Sequence, residues 1–294
     1  MYLATSWFGR RARGLAEQLR ESAELGFRGV AVLPRSPLPE GAAEPPPALE
    51  PERVGAVAWD ALADRLAEGE AGGRTWSTAD LGPALSRLAR LRARRVVVPV
   101  GAVGPEAERL RGERLLERLA HGESLRGDEA VEELLQQPAA AAEEDLQELA
   151  AFLHALLRAA PGLEVALHPG ASPVSLLDPD RFALLLGVLG RPSALGLWWD
   201  CADAERRAAL GLPPPGEWLD RFGGRIQGVA LCDWAPGAGV VPPGAGTADW
   251  ALLREYLPRT AVRVVALPPS HPSEWVTQAA AVLEPPRAAP GTPR

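Results

Sequence analysis

Short β-branched or apolar runs alternate with longer amphipathic, arginine- and glutamate-rich runs along the whole chain, and this alternation restricts the fold more than any other feature. A strand that feeds a helix returning to a parallel strand is the repeating unit of α/β proteins, because the helices bury the apolar faces of the sheet. The strands are expected at Met1–Phe8, Arg28–Leu33, Val54–Trp59, Arg95–Val100, Leu163–His168, Ala194–Asp200, Arg225–Leu231 and Ala261–Leu267. Helices are expected at Arg10–Leu25, Glu143–Ala159, Pro179–Leu189, Gly216–Phe222, from about Asp249, and at Ser273–Leu283. Gly223-Gly224 reads as a glycine stop after the fourth of these. The count is eight units, and 294 residues suffice for them. A single (β/α)8 barrel over residues 1–284 is the expected fold, with 285–294 (PPRAAPGTPR) a disordered tail.

Two segments interrupt the rhythm. Pro37–Arg53 carries a PPPALEPER run, and Gly101–Ala142 is a long helical excursion. Both follow strands, so in a barrel both lie over the C-terminal face, where active sites sit and where a protein partner could dock.

Composition excludes several classes of function. A net charge of −7 argues against a nucleic-acid binder, which presents a basic face. All 31 basic residues are arginine, so no lysine exists to form a Schiff base with a carbonyl substrate. No apolar run reaches the length of a membrane span. The N-terminal charges follow an apolar run, the reverse of a secretory signal. With two cysteines, Cys201 and Cys232, these features place the chain in the cytoplasm with no membrane contact. No GxGxxG, GxxxxGK[ST] or GxSxG pattern falls at a strand–helix turn.

RESAELGFRGVAVL (Arg20–Leu33), LEVALHPG (Leu163–Gly170), LGLWWDCADA (Leu195–Ala204), EWLDRFGGRIQGVALCD (Glu217–Asp233) and GAGTADW (Gly244–Trp250) follow one another in a recognisable order. In that order and spacing the chain resembles the xylose-isomerase-like sugar isomerases and epimerases, and more loosely the apurinic endonucleases with the same barrel. The resemblance implies one hard divalent ion, held by two glutamates, an aspartate and a histidine or glutamine at strand ends. That ion would chelate adjacent sugar oxygens while the glutamates shuttle a proton on carbon.

Several of those positions hold other residues. Asp200 matches the aspartate, but Ala166 stands at the first glutamate and Ala230 at the histidine or glutamine. The eighth strand, VRVVALPP, has no acid. Asp203 takes the place of a histidine, Cys232 that of a lysine, and Ala245 that of a glutamate. A methyl group offers no lone pair, so the expectation is a barrel with a degenerate metal site and no resident cofactor. Its role would be binding or interaction, with a small polyol or sugar as ligand. The alternative is an active isomerase or epimerase with one Mn or Mg ion, using a rearranged site of Asp200, His168 and Asp203.

Tryptophan is over-represented, nine residues against five Phe and two Tyr. Trp7, Trp59 and Trp234 fall at or just beyond strand ends, and Trp198 shares the parity of Asp200. With Asp233 they are candidate ligand contacts, the rings forming a floor for the apolar face of a sugar. The competing expectation is that the rings, chiefly Trp198, fill the mouth.

Overall fold

The structure, a computed structural model, describes residues 1–9, 11–42, 50, 52–63, 76–136, 140–190 and 192–283. Most of the PPPALEPER run and the expected tail lie outside these residues.

The elements run β1 (Tyr2–Ala4), α1 (Thr5–Phe8), α2 (Leu15–Glu24), β2 (Gly29–Val32), β3 (Val54–Ala58), α3 (Trp59–Leu62), α4 (Leu81–Arg90) and β4 (Arg95–Pro99). Next come α5 (Glu106–Ala120), α6 (Glu129–Leu135), α7 (Ala140–Ala159), β5 (Glu164–His168), α8 (Pro179–Val188), β6 (Leu195–Asp200), α9 (Cys201–Ala209) and α10 (Pro215–Phe222). The chain ends in β7 (Ile226–Leu231), β8 (Asp233–Ala235), β9 (Gly239–Val241), α11 (Trp250–Tyr256), β10 (Val262–Val265) and α12 (Ser273–Ala279). β1 to β7 and then β10 form a closed, all-parallel barrel of eight strands, in which β10 pairs back onto β1. The eight barrel strands are the eight expected ones, each trimmed at its ends.

Three departures have physical causes. The first strand stops at Ala4, where pairing with Ala31 ends, and Thr5–Phe8 turns directly into helix. The second helix begins at Leu15 rather than Arg10, because the backbone of Arg13 and Leu15 is paired with Glu40 (2.9 and 2.8 Å). Gly223 is not a left-handed stop: its φ is −52° and the chain continues for one tight turn. An added Cβ there would lie 3.1 Å from the Tyr256 side chain, so close approach of α11 is what the glycine permits. The antiparallel hairpin β8–β9 was not foreseen; it lies over the C-terminal end, just after β7.

Inside the barrel, Trp198 is 1% exposed and lies beside Gly228 of β7. A Cβ at Gly228 would come within 2.2 Å of the indole ring, so the missing side chain on one strand is what admits the large one on its neighbour. Around them Ala166, Ala230 and Val264 are fully buried. This packed plug supports the C-terminal mouth.

Candidate functional site: the C-terminal mouth of the barrel

The mouth is built from the ends of β5 and β6 and the first turn of α9. Asp200 ends β6 and caps α9, its Oδ1 accepting the N–H of Asp203 at 3.1 Å. This satisfies an otherwise orphaned amide at the helix N-terminus, and Asp203 benefits from the same positive helix end. The i, i+3 spacing places both carboxylates on one side of the first turn. His168 ends the neighbouring strand, β5. One ligand atom from each of His168, Asp200 and Asp203 lies within 4.8 Å of the others.

Asp203 is the electrostatic centre. Its Oδ2 is 3.2 Å from His168 Nε2 and its Oδ1 accepts from Arg206 Nη1 at 3.2 Å. Burial alone would push this carboxyl up. The close approach and charge of His168, with the charges of Arg206 and Arg35, outweigh burial and hold it at about 2. Asp200 behaves oppositely: burial, and then the negative charge of Asp203, push it above the ordinary carboxylate value, and His168 only partly offsets this. His168 is 9% exposed, and the approach of its Nε2 to Asp203 falls outside hydrogen-bond geometry. It is therefore a buried ring nitrogen close to two carboxylates without a well-made bond.

These groups wall an open cavity of about 330 Å³. Its other polar lining comes from Ser6, Ser36, Arg35 and Arg206, and its lower rim from Ala266 and Pro268 after β10. Arg35 adopts a left-handed backbone (φ 64°), and its N–H donates to Asp60 Oδ2 at 2.8 Å. Burial pushes Asp60 up, with the N–H groups of Arg35 and Ala61 pulling the other way. Behind the triad a crevice of about 20 Å³, room for roughly one water, is lined by Trp198, Trp199 and Trp218. Arg207 closes that side, donating to Leu177 O at 3.1 Å and Gly170 O at 3.5 Å; burial lowers it to about 10.

The structure thus brings together Asp200, His168 and Asp203 but not the remaining expected site residues. Trp7 is fully buried, donates to His271 O at 3.1 Å and stacks under Arg11. Trp59 is fully buried and packs edge-on against Phe152, with ring centroids 5.0 Å apart. Trp234 lies in β8 at 3% exposure. None of the three lines the mouth cavity. Asp233 is fully buried and accepts from Trp234 N (2.8 Å), Gly244 N, Ala248 N and Trp250 Nε1 (3.0 Å each). It ties the hairpin to α11. The expectation of a mouth filled by tryptophan is corrected: Trp198 is buried as expected, but it packs one layer below and leaves the mouth open. Cys201 and Cys232 are free thiols, not a bridge.

Sequence reasoning missed Arg35, Arg206, Ser6, Ser36 and Asp60. Asp60, a buried acid just after a strand end, carried the one usable signal. The arginines are indistinguishable in sequence from the chain's many others.

No protein-family model matches the chain. No curated protein matches it. Solved structures do. Over 96% of its length the chain is similar to the IOLI protein with a binding zinc atom (TM-score 0.57, 16% identity, 96% of that chain). It is similar over 95% of its length to an AP endonuclease of family 2 from Brucella melitensis (TM-score 0.57, 15% identity, 97% of that chain). A sugar phosphate isomerase/epimerase from Parabacteroides distasonis gives a TM-score of 0.51 at 11% identity, covering 97% of this chain and 94% of that one. These likenesses establish the fold, a (β/α)8 barrel.

Proposed function

We propose that the barrel binds a small hydroxylated molecule, a polyol or sugar, in its C-terminal mouth without performing the isomerisation chemistry of the proteins it resembles. One observation carries this reading: His168, Asp200 and Asp203 converge on the wall of an open cavity, while Ala166 and Ala230 stand on the flanking strands. Paired carboxylates, an imidazole and two guanidiniums suit a ligand rich in hydroxyl groups. The groups needed to move a proton on and off carbon do not accompany them, because methyls occupy those positions and the β10 end offers alanine and proline.

The four-donor ion site implied by the sequence resemblance does not fit these residues. A three-donor site does, and the poorly bonded Nε2 of His168 favours a second reading. His168, Asp200 and Asp203 would hold one Mn²⁺ or Mg²⁺, which would supply positive charge beside a ligand's oxygens. Arg35 and Arg206 would orient that ligand, and the Trp198–Trp199–Trp218 wall would exclude water behind it.

The test combines thermal-shift and calorimetric titration of polyols, sugars and sugar phosphates with elemental analysis and titration of Mn²⁺, Mg²⁺ and Zn²⁺. Metal-independent stabilisation by a polyol, lost in Asp203→Ala, is the expected result. One equivalent of metal lost in Asp200→Ala, together with epimerase turnover, replaces the first reading by the second. No response to any polyol or metal sinks both.

A further inference from the structure

The opposite end of the barrel carries a second concavity, of about 470 Å³, at the N-terminal ends of β1, β3, β4, β5 and β10. Arg28, Arg94, Arg95, Arg259 and Arg263 line it, against Glu52 and Glu164. Five guanidiniums facing two carboxylates leave an excess of three positive charges, in a chain whose net charge is −7. Such a concentration opposes the field of the rest of the molecule and is self-repelling unless something negative occupies it.

The pairing inside the cluster is incomplete. Glu52 pairs with Arg28 and lies 3.7 Å from Arg94, and Glu164 pairs with Arg95. Arg259 and Arg263 form no ion pair among the described residues. The Nε atoms of Arg95 and Arg263 are buried without an acceptor. A buried charged donor lacking its acceptor is destabilising, and water is the poorer remedy for several neighbouring guanidiniums, whose flat forks match planar or tetrahedral oxyanions. Burial lowers Arg95, which Glu164 only partly offsets.

We propose that this N-terminal concavity is a binding site for a small multivalent oxyanion bearing about three negative charges, such as a diphosphate or a tricarboxylate. Arg259 and Arg263 supply the unpaired donors, and Arg28, Arg94 and Arg95 complete the cradle. The site is independent of the C-terminal mouth. Its size suits a compact ligand rather than an extended polymer, and its end-on position keeps it apart from the polyol cavity.

Calorimetric titration of the full chain with inorganic pyrophosphate and, separately, with citrate tests the proposal and distinguishes the two sources. Binding of at least one of them at 1:1 stoichiometry, with Kd below about 1 mM, is expected. Arg263→Gln and Arg259→Ala should each weaken it about tenfold. Arg259 is exposed in a turn, so its variant remains informative if Arg263→Gln fails to fold. Asp200→Asn, at the other end, should leave it unchanged. Absence of heat with both anions overturns the proposal, as does affinity unaltered in Arg259→Ala. Duplex DNA binding as tightly as pyrophosphate would overturn the compact-ligand assignment.

Discussion

The pairing of Trp198 with Gly228 sets up a double substitution in which two damaging changes should partly cancel. Trp198 is 1% exposed. A tryptophan buries about 150–250 Å², and at about 25 cal/mol per Å² its removal forfeits about 4–6 kcal/mol. Partial collapse of the void brings the expected cost of Trp198→Ala to about 3–5 kcal/mol. Gly228→Ala does opposite damage, because its Cβ would stand 2.2 Å from Cζ3 and 2.5 Å from Cε3 of the ring. Overpacking of this kind costs about 1–3 kcal/mol. In the Trp198→Ala background the same Cβ enters empty space, so the second change should cost close to nothing. The coupling between the sites is then about 1–3 kcal/mol. Urea unfolding of the four proteins, followed by circular dichroism and fitted for a common m-value, measures it. Equal cost of Gly228→Ala in both backgrounds, or a Trp198→Ala loss under about 1 kcal/mol, would refute the packing argument.

Three further outcomes follow from the same geometry. Asp233→Ala should cost about 3 kcal/mol or more, since four donors lose a buried acceptor at once; near-native stability in urea would contradict its role as the tie between hairpin and α11. Asp203 is held at about 2, below its ordinary value of 3.8, so it contributes stability above that value which is lost as pH falls through the folded one. That amounts to about 2 kcal/mol for this mostly buried side chain, so the stability difference between wild type and Asp203→Asn should narrow by that much from pH 6 to pH 2. Asp200, pushed up by burial and by Asp203, contributes with the opposite sign, its stabilisation being lost as pH rises; if the gap between wild type and Asp203→Asn stays constant with pH, the assignment of Asp203 fails. Burial, and then the charge of Asp200, push the thiols of Cys201 and Cys232 well up, so neither should react with a disulfide reagent at pH 8 until the protein is unfolded.

Much of the barrel was legible from sequence because a parallel strand buried on both faces is a continuous apolar run, and RRVVVP or LEVALH can bury itself in few other ways. Eight such runs separated by amphipathic segments fix the strand count and, through the handedness of the crossovers, their parallel order. The juxtaposition of Asp200 and Asp203 is local, the cap and the third helical position being three residues apart in any chain, but no helix was expected after Asp200 and the cap emerged only in the structure. The extent of β1 was not legible either, since it ends where its neighbours cease to pair rather than where Met1–Phe8 ceases to be apolar.

What the sequence could not decide was which side chains share a space. Trp198 and Asp200 have the same parity, yet one plugs the barrel and the other opens on its mouth. The difference is set by Gly228, thirty residues later, and by the register of β6 against β7. Asp233 has the composition and position of a ligand contact, but Trp234 beside it and the segment Gly244–Trp250 that returns after the hairpin supply four donors to it. Arginines scattered from position 28 to position 263 carry no local signal, and only closure of the barrel gathers five of them around one concavity. Secondary structure answers to neighbours in the chain and to the demand that apolar faces be buried; a site answers to distances across the fold, which closing the barrel creates.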